Sequence, residues 1–193
     1  SCIIKDGSII THNHEFIHSL VLRNAGMYYG KTAVSNNLNH GSSPAAFFLP
    51  VLVSEQVTDF FSLMPSVWDL RPAPHKPFEL LDFLTSIDIK IDHLFFVYAQ
   101  IVEDFLNTLP NQPQCNVYCL SALRQEWQKY VVDKNVKDII SLYGTSECSG
   151  PVLVNSIADD NFDTKSYRRV DDYYQLGLDA RGLLSVTLPV YNK

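Results

Sequence analysis

Ser141-Leu142-Tyr143-Gly144-Thr145-Ser146-Glu147-Cys148-Ser149-Gly150-Pro151 decides how the rest of the chain is read. It continues an apolar run that begins at Val136, then sets an aromatic, a glycine, two hydroxyls and a carboxylate in consecutive positions. An apolar run that stops at Gly and small polar residues reads as a buried strand delivering a loop at its carboxyl end. In open α/β sheets that end is where ligands sit. The residue types suit a nucleotide. Tyr143 offers a flat face to a base, Gly144 lets the backbone approach closely, and Thr145 and Ser146 can bond phosphate oxygens. Glu147 can hold Mg²⁺ beside those phosphates. A plain glycine turn with polar surface residues has the same composition.

Working outward, the pattern on the amino-terminal side alternates. Residues 78–86 and 101–109 carry apolar side chains at helical spacing, and residues 123–132 form a third helical stretch around Trp127. Between them, residues 89–97, 117–120 and 137–142 read as strands, with another at 152–155. Strands alternating with helices imply βαβ units and a mainly parallel sheet flanked by helices, an α/β fold. Residues 1–156 are expected to form this α/β part. Residues 157–193 are expected to form a short β-rich extension, with strands around Ala180-Arg181-Gly182.

Nearer the start, residues 1–10 read as a short hairpin. Thr11 is the expected N-cap of a helix over 12–25, closed at Gly26. Residues 30–44 read as a polar loop. A helix is expected over 45–53, running on through Glu55 and Phe61, and four prolines make 65–77 an irregular connector.

The first helix contains His14-Glu15-Phe16-Ile17-His18, a formal H-E-x-x-H match. At that spacing both imidazoles share a helix face with Glu15 as general base, and Glu55 is a candidate third ligand. A zinc-dependent hydrolase is therefore an alternative reading. A solvated, histidine-rich helix face is the plainer one.

The chain has 193 residues, 46% of them apolar and 19% charged, with a net charge of −6. That is a globular composition able to bury a core. It argues against bulk binding to nucleic acid or to a membrane surface. No apolar stretch is long enough for a membrane span, and no secretory leader is visible. Cys2, Cys115, Cys119 and Cys148 are expected to be free thiols of a reducing, cytoplasmic compartment.

Several segments together resemble the adenylate-forming superfamily of acyl-CoA synthetases, peptide-synthetase adenylation domains and luciferases. Tyr143-Gly144-Thr145-Ser146-Glu147 is similar to that family's Y-G-x-T-E motif, with Ser146 in place of Thr. Ile10-Thr11-His12 resembles the T-H that follows its phosphate loop, and Asn39-His40-Gly41 its histidine-bearing substrate segment. Gly182-Leu183-Leu184-Ser185-Val186 resembles its G-x-L-x-V strand. Leu120-Ser121-Ala122 stands near the family's Gly-Gly-Ala turn but carries no glycine.

The resemblance implies activation of a carboxylic acid by ATP to an acyl-adenylate, usually for transfer to CoA or a carrier protein, with Mg²⁺ as the metal. It implies adenine and AMP contacts at Tyr143, Gly144, Ser121 and Ala122, phosphate contacts at Thr145 and Ser146, Mg²⁺ at Glu147, and His40 at the pocket mouth. The family's phosphate loop would precede Thr11. Its ribose-binding Asp and its catalytic Lys would lie beyond Lys193. The isolated chain is therefore expected not to turn over, as the central part of an adenylating enzyme or as a non-catalytic relative.

Overall fold

The computed structural model describes residues 2–5, 8–35, 49–62, 86–96, 99–108, 114–133, 136–145, 147–148 and 150–188. The first strands, β1 (Cys2–Lys5) and β2 (Ser8–Thr11), pair as an antiparallel hairpin. They lead into helix α1 (His14–Ala25). Then come β3 (Gly30–Ser35), the short α2 (Leu49–Val53), β4 (Val57–Ser62), β5 (His93–Phe96) and α3 (Ala99–Thr108). Strand β6 (Asn116–Cys119) is followed by a 3₁₀ turn (Gln125–Trp127), α4 (Gln128–Val132) and β7 (Asp138–Tyr143). The last strands are β8 (Leu153–Ser156), β9 (Arg168–Arg169) and the hairpin pair β10 (Gln175–Leu178) and β11 (Leu184–Thr187).

Seven strands form one sheet in the order β4-β3-β5-β6-β7-β8-β9. From β4 to β7 every pairing is parallel, and β8 and β9 add antiparallel neighbours at one side. The expected α/β class, with a mainly parallel sheet and a short β appendage, is what the chain adopts. Chain order reverses between β3 and β5. In doubly wound sheets such a reversal opens a crevice outside the carboxyl ends of the strands.

Side chains alternate across the sheet. Leu94, Phe96, Val117, Cys119 and Ile139 face one layer, where they pack with Val102, Phe105 and Leu106 of α3 and with Trp127. Phe95, Tyr118, Ile140 and Leu142 face the other, against Tyr28 and Val51. A strand buried on both faces must be apolar at nearly every position, which is why β5 and β7 read as continuous apolar runs. Helix α1 turns Phe16, Leu20 and Val21 towards Cys148, Val152 and Tyr174, and Leu176, Val186 and Leu188 join that cluster. Arg23 fixes the same contact. It meets both oxygens of Asp171, at 2.6 and 3.0 Å, and lies over the rings of Tyr173 and Tyr174.

Cys115, Cys119 and Cys148 are free and buried. Burial pushes the Cys115 thiol up to about 12 and that of Cys119 to about 11. Among the described residues no helix is long and apolar enough to cross a membrane.

Four expectations are corrected. Residues 30–35 are not loop but β3, an inner strand of the sheet. The helix expected to run on through Phe61 stops at Val53, and residues 57–62 form β4. Thr11 ends β2, and Asn13 caps α1 instead, its Oδ1 accepting the Phe16 amide at 2.7 Å. The third helical stretch is broken, with extended backbone at Arg124, a 3₁₀ turn and only then α-helix. The helix expected over 78–86 and the connector at 65–77 lie outside the described residues, apart from Ser86.

At the amino edge of the sheet His93 is fully buried. Its Nδ1 lies 3.2 Å from the Tyr118 hydroxyl, the Tyr29 ring meets it edge-on at 4.0 Å, and its Nε2 has no hydrogen-bond partner among the described residues. Burial lowers its pKa from 6.5. The Asp92 carboxylate opposes that shift, and Lys137 adds to it. A depressed folded-state pKa favours the neutral ring, so stability is full above pH 6.5 and is lost as pH falls through that value towards the folded pKa. Unfolding free energies from urea titrations between pH 7.5 and 5.5 will fall by at most about 1.4 kcal/mol per pH unit from this group. The slope will flatten in His93→Phe.

Candidate functional site

Strands β6 and β7 run side by side with Cys119 opposite Ser141, so they reach the carboxyl edge of the sheet together. Leu120-Ser121-Ala122 leaves β6 there. Tyr143 ends β7, and Gly144 and Thr145 follow it.

Ser121 is held from three directions. Its Oγ accepts the backbone N–H of Ala99 at 3.0 Å. Ala99 opens α3, and the first amides of a helix have no partner within it, so a serine from the neighbouring strand caps this one. The Ser121 carbonyl accepts the Ser141 hydroxyl at 2.8 Å and the Cys119 thiol at 3.3 Å. Ser141 Oγ is also 2.8 Å from the hydroxyl of Tyr167. The Tyr167 ring in turn stands edge-on to Tyr143, with centroids 6.2 Å apart and planes at 65°. Tyr143 keeps 44% of its surface exposed, so it has area left for a ligand.

Gly144 is set by close approach rather than by an unusual φ. A Cβ there would collide with the carbonyl oxygen of Gly150. Gly150 is itself pressed against α1, where a Cβ would come within 3.0 Å of Asn24 Nδ2 and 3.4 Å of Leu20 Cδ1. The loop between them is tied inward. Thr145 accepts the Cys148 amide at 3.1 Å, and the Cys148 carbonyl accepts the Tyr174 hydroxyl at 2.8 Å. The Tyr143 carbonyl accepts the Val152 amide at 2.8 Å, closing the turn into β8. Glu147 and Ala122 are exposed, and Thr145 is half-buried.

The structure therefore brings Ser121 and Tyr143 into one cluster and puts Gly144 and Thr145 directly beside it. Ser146 and His40 lie outside the described residues. Two members of the cluster were not singled out from sequence. Ser141 was detectable, as a lone hydroxyl in an apolar strand two residues from Tyr143 and hence on the same face. Tyr167 carries no local signal.

His14 and His18 project from one face of α1, both exposed, with nearly parallel rings 6.4 Å apart. Glu15 and Glu55 are exposed too. Among the described residues no group of three or more His, Cys, Asp or Glu comes together to hold a metal. The H-E-x-x-H reading finds no support. His12 is buried just before α1, 4.8 Å from the Phe16 ring.

No family model matches the sequence, and no curated protein matches it. Solved structures do match the fold. One is an acyl-CoA synthetase (AMP-forming)/AMP-acid ligase II-like protein from Dyadobacter fermentans, with a TM-score of 0.67 at 15% identity over 99% of this chain and 52% of that one. A second is the O-succinylbenzoate coenzyme A synthetase MenE from Bacillus subtilis in complex with AMP, at 0.66 and 12%, over 97% of this chain and 47% of that one. A MenE variant from E. coli with bound OSB-AMS matches at 0.52 and 14%, over 96% and 47%. The chain thus has the α/β fold of these structures and spans about half their length.

Two substitutions measure how the site is held. Gly144→Ala forces apart the backbone at Gly150 and will cost about 1–3 kcal/mol of unfolding free energy. Ser121→Ala removes the cap on α3 and will cost about 1 kcal/mol. Denaturant titration reads both, and a wild-type midpoint for Gly144→Ala would contradict the close approach.

Proposed function

We propose that this chain is the nucleotide-binding part of an adenylate-forming ligase. Such an enzyme condenses a carboxylic acid with ATP to an acyl-adenylate and pyrophosphate, for later transfer to CoA or a carrier protein. The observation that carries the reading is the placement of Ser121 and Tyr143, linked through Ser141 and Tyr167, at the carboxyl ends of adjacent parallel strands, in a fold shared with an AMP-bound ligase. Carboxyl ends of parallel strands are where such sheets take ligands.

In this reading Tyr143 packs against the adenine, with Ser121 and Ala122 bordering it. Gly144 gives clearance, and Ser146 or Thr145 bonds the α-phosphate. His40 stands at the mouth of the acid pocket. Glu147 would hold Mg²⁺. A single exposed carboxylate suits that ion, which usually takes one or two carboxylates and completes its shell with water and phosphate oxygens. The bound ion would screen phosphate charge. The protein's own work is alignment, since adenylyl transfer to the acid needs the carboxylate oxygen, the α-phosphorus and the departing pyrophosphate held in line. Free, buried cysteines accord with a cytoplasmic setting.

Titration calorimetry with AMP tests this directly. Base stacking on an aromatic is worth about 1–3 kcal/mol, so Tyr143→Ala will weaken AMP by roughly fivefold to a hundredfold. Glu147→Gln will leave AMP binding in EDTA unchanged and remove the gain that Mg²⁺ gives to ATP. Pyrophosphate release by the isolated chain is expected to be absent. No AMP binding at millimolar concentration, or binding indifferent to Tyr143, would refute the assignment.

A further inference from the structure

We propose that Tyr167 is a positioning residue for the base-binding face of Tyr143, an inference that rests on the nucleotide reading above. Three observations meet here. The first is the hydrogen-bond chain from Tyr167 to Ser141 to Ser121, with both links at 2.8 Å. Its direction is fixed by chemistry. A carbonyl only accepts, so the single Ser141 proton is committed to Ser121, and Tyr167 must donate to Ser141. The second is the edge contact of Tyr167 on Tyr143. An aromatic edge is positive and a π-face negative, so this contact favours one tilt of the Tyr143 ring over others.

The third is what lies beside Tyr167. It helps to line a cavity of about 380 Å³ with Asn155, Phe162 and Arg168. On that flank the residue borders open space. The hydroxyl bond to Ser141 ties the ring to β7 beside Tyr143. Ser141 is 1% exposed and sits on the same face of β7 as Tyr143. The anchor of the chain is thus rigid core, and its outer end is the half-exposed ring that the nucleotide would meet. Residues 26 positions apart, Ser141 and Tyr167, set one surface.

The test separates this role from simple support of the fold. AMP and ribose 5-phosphate are titrated, by ligand-observed NMR, into wild type, Tyr167→Phe, Tyr167→Leu and Ser141→Ala, with thermal midpoints recorded for each. A neutral hydrogen bond contributes about 0.5–1.5 kcal/mol, so Tyr167→Phe is expected to weaken AMP by about two- to tenfold. Ser141→Ala will match it, and Tyr167→Leu will exceed it. Ribose 5-phosphate, which has no base, will change less than twofold. Tyr167→Phe combined with Ser141→Ala will be no worse than either alone, because both cut the same chain.

Equal weakening of AMP and ribose 5-phosphate would overturn the proposal in favour of a structural role. So would AMP affinity unchanged in Tyr167→Phe while Tyr143→Ala still weakens it, and that result leaves the nucleotide reading standing. Absence of AMP binding to wild type overturns both.

Discussion

The unshifted parallel ladder through the centre of the sheet is the constraint on which everything else depends. Thr32 lies opposite His93, His93 opposite Asn116, and Asn116 opposite Asp138. The same ladder sets Phe96, Cys119 and Ser141 in one row. A one-residue slip in any strand would turn its apolar side chains from one layer to the other. In strands buried on both faces the two sets would exchange layers, each meeting packing shaped for the other. Register, and with it the level at which each strand leaves the sheet, is therefore set by packing. The loops after β6 and β7 emerge together because the core beneath them allows no other alignment.

Above that row, polar contacts replace apolar ones. Ser121 is the junction. It caps the helix that follows β5, receives the hydroxyl from β7, and so ties three consecutive units at their carboxyl ends. Here serine supplies an acceptor to α3 that glycine has no side chain to provide. On the far side Gly144 and Gly150 meet where only hydrogen fits, and α1 backs them. The candidate site is thus braced by the sheet on one side and by a helix from the start of the chain on the other.

Much of this was legible in the sequence, for a physical reason. Strand β5 and most of β7 are apolar on both faces, and α3 between β5 and β6 buries Val102, Phe105 and Leu106 at helical spacing, so periodicity separates them. Strand β3 was missed because Gly30-Lys31-Thr32-Ala33-Val34-Ser35 has few large apolar residues. Its place comes from hydrogen-bonded neighbours on both sides, which are remote in sequence. Strand β4 was missed because Val57, Phe60 and Phe61 also satisfy a helical spacing directly after a true helix. The loop from Tyr143 to Glu147 declared itself by residue type and position. Tyr167 did not, since a tyrosine in a polar stretch gains meaning only from what the chain folds it against.

The buried thiols carry a different consequence. Only a thiolate attacks an alkylating or oxidising reagent, and at neutral pH the groups of Cys115 and Cys119 are almost wholly protonated as well as shielded. Both sit beside the central ladder, at either end of β6. Any reaction at them must wait for the strand to open. The rate of thiol modification then reports how often the middle of the sheet breathes, so the protein's own thiols time its local unfolding, with no label engineered in.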